Sequence, residues 1–393
     1  MKFRTLRNWT DPANSEGLIF FAQLLEELLF DYSLDTYKPS AMNSSLLCLE
    51  AMKLVRDIEE GHIDKANLSH VLKELLLNLR KDEVAKSLLP FSAEIIATKF
   101  ENQATPITEI FTLLELIHAQ IEIEKYKSKT ESLLLDAVSK SFEKDRIRAL
   151  TRGYVTTLIN MGYSTRFLYP SARMYFYWGN AGISNPNALQ GFIDIVSAKT
   201  QEYIAIFRVN ALFEEIKDSC AALKVAVYRA LPEDLLNLIN NKSFALVGEE
   251  IYIVVEKISS MDVFSARDHA ERRMEQISTL YSLFHHKEAV TWNRNALLVN
   301  WETKKDRVVS ASPNQMLMCA DSKKGNAAIK LNSFINNFSL EADSFTKFNR
   351  AAELHSLALR NDSPENQLLN LWVALETIVP NRSGGNPPLF NRA

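Results

Sequence analysis

From residue 15 to about residue 180, apolar side chains recur at intervals of three and four, with few glycines and few alternating runs. Only a turn of 3.6 residues returns to one face at those steps, so the pattern commits this half to packed helices. The expected helices cover 15–31, 42–59, 67–80, 106–126, 129–142 and 144–160. They are separated by Pro39, Gly61, Pro90 and Pro106, where a missing donor or a permissive backbone stops a helix. In the first helix Phe20, Leu24, Leu25 and Leu28 form the expected apolar stripe.

The middle of the chain changes period. "EYIAIFRV" (202–209), "KVAVYRA" (224–230), "EEIYIVVEKI" (249–258) and "ALLVNW" (296–301) are short, rich in β-branched and aromatic residues, and mostly continuous in apolar character. Such runs read as strands buried on both faces. Helical patterns at 186–197, 210–221, 233–240 and 262–285 lie between them, which predicts a mixed α/β or α+β layer. After the turn-rich "CADSKKGNA" the pattern returns to helix at 326–340, 344–360 and 364–379. Asp343 or Ser344 can cap the second of these, and Asp362 or Ser363, followed by Pro364 and Glu365, the third. The expected fold class is therefore α+β and predominantly helical. It has a helical domain over 1–182, a mixed domain with a small sheet over 183–325, and a helical region over 326–393 that is incomplete at its C-terminal end.

Several function classes lose support at once. The 393 residues carry 45 basic and 48 acidic side chains, a formal net charge of -3, so no global positive field draws in nucleic acid. No glycine-rich loop follows a strand with dinucleotide or phosphate-loop spacing. Ser164 in "GYSTR" has no nucleophile-elbow glycines around it. Cys48, Cys220 and Cys319 are far apart and odd in number, which fits a reducing cytoplasm. "GLIFFAQLLEELLF" is interrupted by Gln23, Glu26 and Glu27, and no secretion signal or membrane anchor is expected.

The tail holds the most specific chemistry. In 344–360, Phe345, Phe348, Ala352, His355 and Leu359 follow one helical face, which places His355 on the expected buried stripe. Arg350 precedes His355 by five positions, a rotation of about 140° on an unbroken helix, so the two point to different sides. In 364–379 the stripe is Leu368, Trp372, Leu375 and Val379, with Glu376 at its margin. A carboxylate there needs a partner.

The stretch "FNRAAELHSLALRNDSPENQLLNLWVALETIVP" resembles the start of ApeA-like HEPN domains, helical modules of bacterial defence proteins and toxins. The match runs over residues 345–380 and rests on the pairing of "ELHSLAL" with "ENQLLNLWVALE". The resemblance implies a helical bundle, homodimerisation and metal-independent RNA cleavage, with a phage- or host-derived trigger sensed by the N-terminal regions. It makes Arg350 and His355 the candidate catalytic pair, with Glu376 as a functional or dimer-contact carboxylate. In that family the Arg/His pair lies on a helix after the "LWVALE"-like one. "RAAELH" has the spacing at an earlier place, so little or no cleavage is expected of this chain by itself. The alternative is a non-enzymatic interaction or regulatory protein that uses these helices only to dimerise. In cleavage by 2'-hydroxyl attack a His moves a proton and an Arg stabilises charge growing on the phosphate, so no metal or cofactor is expected.

Other clusters have plainer readings beside functional ones. "KSFEKDRIRALTR" (140–152) concentrates Lys144, Arg146, Arg148 and Arg152, a nucleic-acid-binding candidate interrupted by Glu143 and Asp145. "SARDHAERRMEQ" (265–276) sets Asp268 with Arg272 and His269 with Arg273, which reads as a salt-bridged surface or a basic face. The pair at His285 and His286 lacks ligand partners at metal spacing. "RFLYPSARMYFYWG" (166–179) fits packing between the helical and mixed domains, or base stacking.

Overall fold

The computed structural model describes residues 9–30, 39–102, 104–140, 142–179, 183–197, 199–239, 244–246, 248–285, 287–318, 322–336, 342–361 and 363–379. Gly182, His286, Cys319, Asp362 and the closing 380–393 lie outside these residues. The chain divides into two compact units, one ending at Ala311 and the other beginning at Ser312. The architecture is predominantly helical α+β with one antiparallel sheet. Among the described residues no helix is long and apolar enough to cross a membrane.

The first unit opens with α1 (Glu16–Leu29), α2 (Ser44–Glu59), α3 (Leu68–Leu79), α4 (Glu83–Leu88), α5 (Ala93–Phe100), α6 (Ile107–Ile121), α7 (Ile123–Val138), α8 (Lys144–Asn160), α9 (Thr165–Arg173) and α10 (Leu189–Ile195). These helices build two cores rather than one. Leu47, Val55, Leu72, Leu75, Ile96, Leu114 and Ile117 pack α2, α3, α5 and α6 together. Leu18, Phe21, Leu25, Leu134, Tyr154, Leu158 and Phe192 pack α1, α7, α8 and α10.

The two cores explain a break that no proline or glycine marks. Ile121 ends α6 inside one core, Tyr126 opens the buried face of α7 in the other, and Glu122 between them is extended at φ -47° and ψ 143°. The sequence pattern places this break near 127–128, because the helical period continues across it. On α1 the buried face is Leu18, Phe21, Ala22, Leu25, Leu28 and Leu29. Phe20 and Leu24 sit at its margin, with Lys144 and Arg148 over the Phe20 ring at 5.9 and 5.5 Å. Phe176 and Tyr177 enter the same helical core, and Phe176 stacks beside Trp9 at 6.3 Å. The aromatic run thus packs chiefly inside the helical part.

The sheet follows as β1 (Gln201–Val209), β2 (Val225–Tyr228), β3 (Ile251–Ser260), β4 (Trp292–Asn300) and β5 (Asp306–Ser310), in the order β2-β3-β1-β4-β5, with every neighbour antiparallel. Between the strands lie α11 (Leu212–Glu215), α12 (Lys217–Ala222), α13 (Glu233–Leu236) and α14 (Val263–Ser282). α14 covers one face, where Ala266, Ala270, Met274 and Ile277 meet Phe207, Ile253 and Leu298. Leu231 and Phe244 cover the other, against Ile206, Val254 and Leu297. Burial on both faces is why these strands are continuously apolar. β5 escapes the sequence pattern because it opens on Asp306 and Arg307 after Lys304 and Lys305, a charged start that an edge strand permits.

The second unit contains α15 (Gln315–Met318), α16 (Lys324–Asn336), α17 (Ala342–Arg360) and α18 (Pro364–Ile378). The last two pack against each other through Ala351, Leu354 and Ala374.

Candidate functional site

The tail residues sit on a helix pair held by short side chains and by an amide clamp. Ala358 is fully buried and Ala351 nearly so, which lets the two backbones come close. Asn314 Nδ2 donates to the carbonyls of Leu359 and Asn361 at 3.2 Å each, and Asn314 Oδ1 accepts from Gln367 Nε2 at 3.0 Å. Gln367 Nε2 also donates to the Asn361 carbonyl at 2.6 Å. Gln367 is buried, so these bonds meet a donor whose desolvation is otherwise costly. Ser363 caps α18 by accepting from Asn366 N at 3.3 Å, with Pro364 in the first turn.

Arg350 Nη1 pairs with Glu353 Oε2 at 3.2 Å, both side chains being more than half exposed. His355 and Glu376 are exposed as well. Because α17 is unbroken over Ala342–Arg360, Arg350 and His355 diverge by about 140° and one copy cannot close both on one phosphate. The buried face of α17 is Ala351, Leu354 and Ala358, so the expected stripe through Ala352 and His355 is displaced by one position. The physical reason is close approach: Ala351 and Ala358 bring α17 near α18 with Leu354 filling the space between them, and Phe345 and Phe348 are left outside that contact. Phe345 stays 44% exposed, and Phe348 lies 5.3 Å from the Phe334 ring of α16.

The same choice leaves the apolar face of α18 open. Leu368, Trp372, Leu375 and Val379 are all exposed, Leu368 at 67%, and Leu369, Val373 and Ile378 join them. A contiguous apolar surface of this kind marks a contact site.

Arg146, centre of the basic run on α8, is enclosed by carboxylates. Its Nη1 lies 2.7 Å from Asp136 and 2.6 Å from Glu143, and its Nη2 lies 2.7 Å from Glu83. Hydrogen bonds to Glu83 first, and then to Glu143, raise its pKa further above the ordinary guanidinium value. Arg148 pairs with Asp145 at 2.6 Å, and Arg152 is half-buried. Lys144, Arg146, Arg148 and Arg152 do share one helix, with acidic partners interleaved among them.

On α14 the pairing that matters differs from the surface pairs read in sequence. Arg267 is wholly buried and binds Glu271 through Nη1 at 2.6 Å and Nη2 at 3.0 Å. Trp292 Nε1 donates to Glu271 at 2.9 Å, and Arg267 Nη2 also donates to the Arg294 carbonyl at 3.0 Å, so the pair fastens α14 to β4. Burial alone would raise the Glu271 carboxyl, but hydrogen bonds and charge from Arg267 outweigh it and hold the carboxyl below its usual value. Burial pushes Asp268 the other way, up, against the charges of Arg267 and Arg166. The clue in sequence is only an Arg four residues before a Glu, a spacing shared by many exposed pairs.

Asp57, Glu60 and His62 bring one potential ligand atom each to within 4.8 Å of one another at the solvent-facing end of α2. His62 Nδ1 is 3.3 Å from Glu60. Comparison with protein-family models, curated proteins and solved structures finds no match to this chain.

Proposed function

We propose that the C-terminal helices form a HEPN-like homodimerisation module within a bacterial defence or toxin-type protein whose N-terminal regions respond to a phage- or host-derived trigger. One observation carries the dimer. α18 already turns Ala374 and Gln367 inward, yet Leu368, Leu369, Trp372, Val373 and Leu375 remain exposed. A two-fold contact buries this surface on both copies at once and closes on itself, which avoids open-ended assembly. The resemblance of the tail to ApeA-like HEPN domains supplies the occupant, a second copy. Sedimentation of the full chain tests this: a dimer that becomes monomeric in Trp372→Glu with Leu375→Glu is expected, and a wild-type monomer at tens of micromolar overturns it.

A second reading, metal-independent RNA cleavage, is favoured by the exposure of both Arg350 and His355 on α17. It requires that two copies bring the Arg350 of one near the His355 of the other, since one helix holds them apart. His355 would then move the proton of the attacking 2'-hydroxyl and Arg350 would stabilise the phosphorane charge, with Glu376 at the dimer contact. Backbone contacts from Lys144, Arg148 and Arg152 would show as a steep loss of RNA affinity with salt. The assay is RNA cleavage in chelator with and without His355→Ala. Cleavage that survives this substitution, or no cleavage by the dimer, removes the reading.

A further inference from the structure

Among the described residues three non-glycine positions have positive φ, Lys224 at 59°, Lys257 at 53° and Lys304 at 54°, and the first two border the same groove. That groove, of about 590 Å³, runs along β2 and is lined also by Lys217 and Glu256. Lys224 immediately precedes β2. Lys257 sits in a bulge, because Tyr203 pairs with Ile258 and Ala205 with Val255, so that Glu256 and Lys257 together oppose Ile204. A left-handed backbone disfavours every side chain with a Cβ, and glycine removes the conflict. Lysine stands at both of these positions, so the groove carries two ammonium groups on backbone that glycine would adopt at lower cost.

β2 is an edge strand. It pairs with β3 alone, from Val225 opposite Val255 to Tyr228 opposite Tyr252, so its outer side offers backbone donors and acceptors. Lys217, Lys224 and Lys257 are exposed, and none lies within ion-pair distance of a carboxylate among the described residues, Lys217 acting on Glu214 only from farther off. Beside them Arg229 is matched by Glu214 at 2.6 Å. The groove thus combines an unfilled ladder with a surplus of positive charge. A second copy docking edge to edge would double that charge along one short ladder, which like-charge repulsion opposes. A phosphodiester chain would satisfy the lysines but has no row of alternating N–H and C=O groups at strand spacing to complete the ladder. An extended chain bearing carboxylates satisfies both.

We infer that the outer edge of β2 takes up an acidic, extended peptide segment of another protein as an added strand, its carboxylates held by Lys217, Lys224 and Lys257. This site lies in the first unit and does not depend on the dimer or the ribonuclease reading. The probe is a fluorescein-labelled decapeptide of alternating glutamate and threonine, titrated by anisotropy against the full chain. Saturable binding is expected, weakened at least tenfold by Lys224→Glu with Lys257→Glu, and at least tenfold by N-methylation of alternate peptide amides, which keeps charge but removes donors. Amides of residues 225–228 gain protection from hydrogen exchange when the peptide is bound. Lys257→Gly should keep or raise the melting temperature while weakening the peptide, which separates lost recognition from lost folding. Absence of binding, an N-methylated peptide that binds as well, or a single-stranded RNA decamer that binds as tightly through the same lysines overturns the inference.

Discussion

Asp262 Oδ2 accepts a hydrogen bond from Ser164 N at 2.7 Å, across 98 residues of chain. Its other oxygen caps α14, accepting from Phe264 N at 2.8 Å and Ser265 N at 3.0 Å. Ser265 Oγ returns a bond to the Gly162 carbonyl at 2.7 Å. One buried carboxylate therefore starts α14 and anchors the residue that caps α9, joining the helical part of the first unit to its sheet.

Asp262→Ala should cost about 2–4 kcal/mol, since a cap is lost and a partly buried N–H is left unmet. Asp262→Asn, with one acceptor oxygen, recovers part of this. Urea unfolding measures both, and an Ala variant within about 0.5 kcal/mol of wild type would show the joint to be dispensable.

The Arg267–Glu271 pair sets a pH dependence. Glu271 has its folded pKa lowered, so its stabilisation is present above the unfolded carboxylate range and is lost as pH falls through the depressed value. Asp268 acts in the opposite sense: its pKa is raised, so its ionised form weakens the fold at neutral pH, and Asp268→Asn should stabilise there. Arg267→Met, which takes the buried cation from Glu271 and leaves it the Trp292 donor, should cost about 3–5 kcal/mol, and adding Glu271→Leu should recover most of it. Melting curves from pH 3 to about pH 8 read both effects. A single Arg267→Met as stable as wild type would contradict them.

Gly17 is where α1 crosses the end of α7. A Cβ on it would meet the Val138 carbonyl oxygen, which is backbone and cannot rotate away. Gly17→Ala should therefore lower stability by about 1–3 kcal/mol despite the better helix propensity of alanine. A gain in melting temperature would show that the two helices have room to separate.

Burial pushes the Cys48 thiol up to about 12 and the Cys220 thiol up to about 11. Both should resist iodoacetamide at pH 8 in the folded chain and react once it is denatured, as peptide mass mapping would show. Labelling of either under native conditions would point to local opening.

Sequence alone determined the class of the fold and the type of most elements. A 3.6-residue period and short β-branched runs are local properties of the chain, and α1, α2, α3, α8, α14, α17 and α18 lie where those patterns place them. So does the cap of Ser363 on α18, which needs only three residues of chain. The tail pair was legible too, since both helices and their apolar residues are written within residues 342–379.

What tertiary structure decided is which side of each element faces inward and which charges meet. The break at Glu122 comes from two cores competing for one helical stretch, and α17 turns Ala351, Leu354 and Ala358 inward because α18 packs on that side. Arg146 finds Glu83 from 63 residues away, and Asp262 finds Ser164 from farther still. No spacing encodes such meetings. Period is fixed by neighbouring dihedral angles, whereas burial and ion pairing depend on segments that only the folded chain brings together.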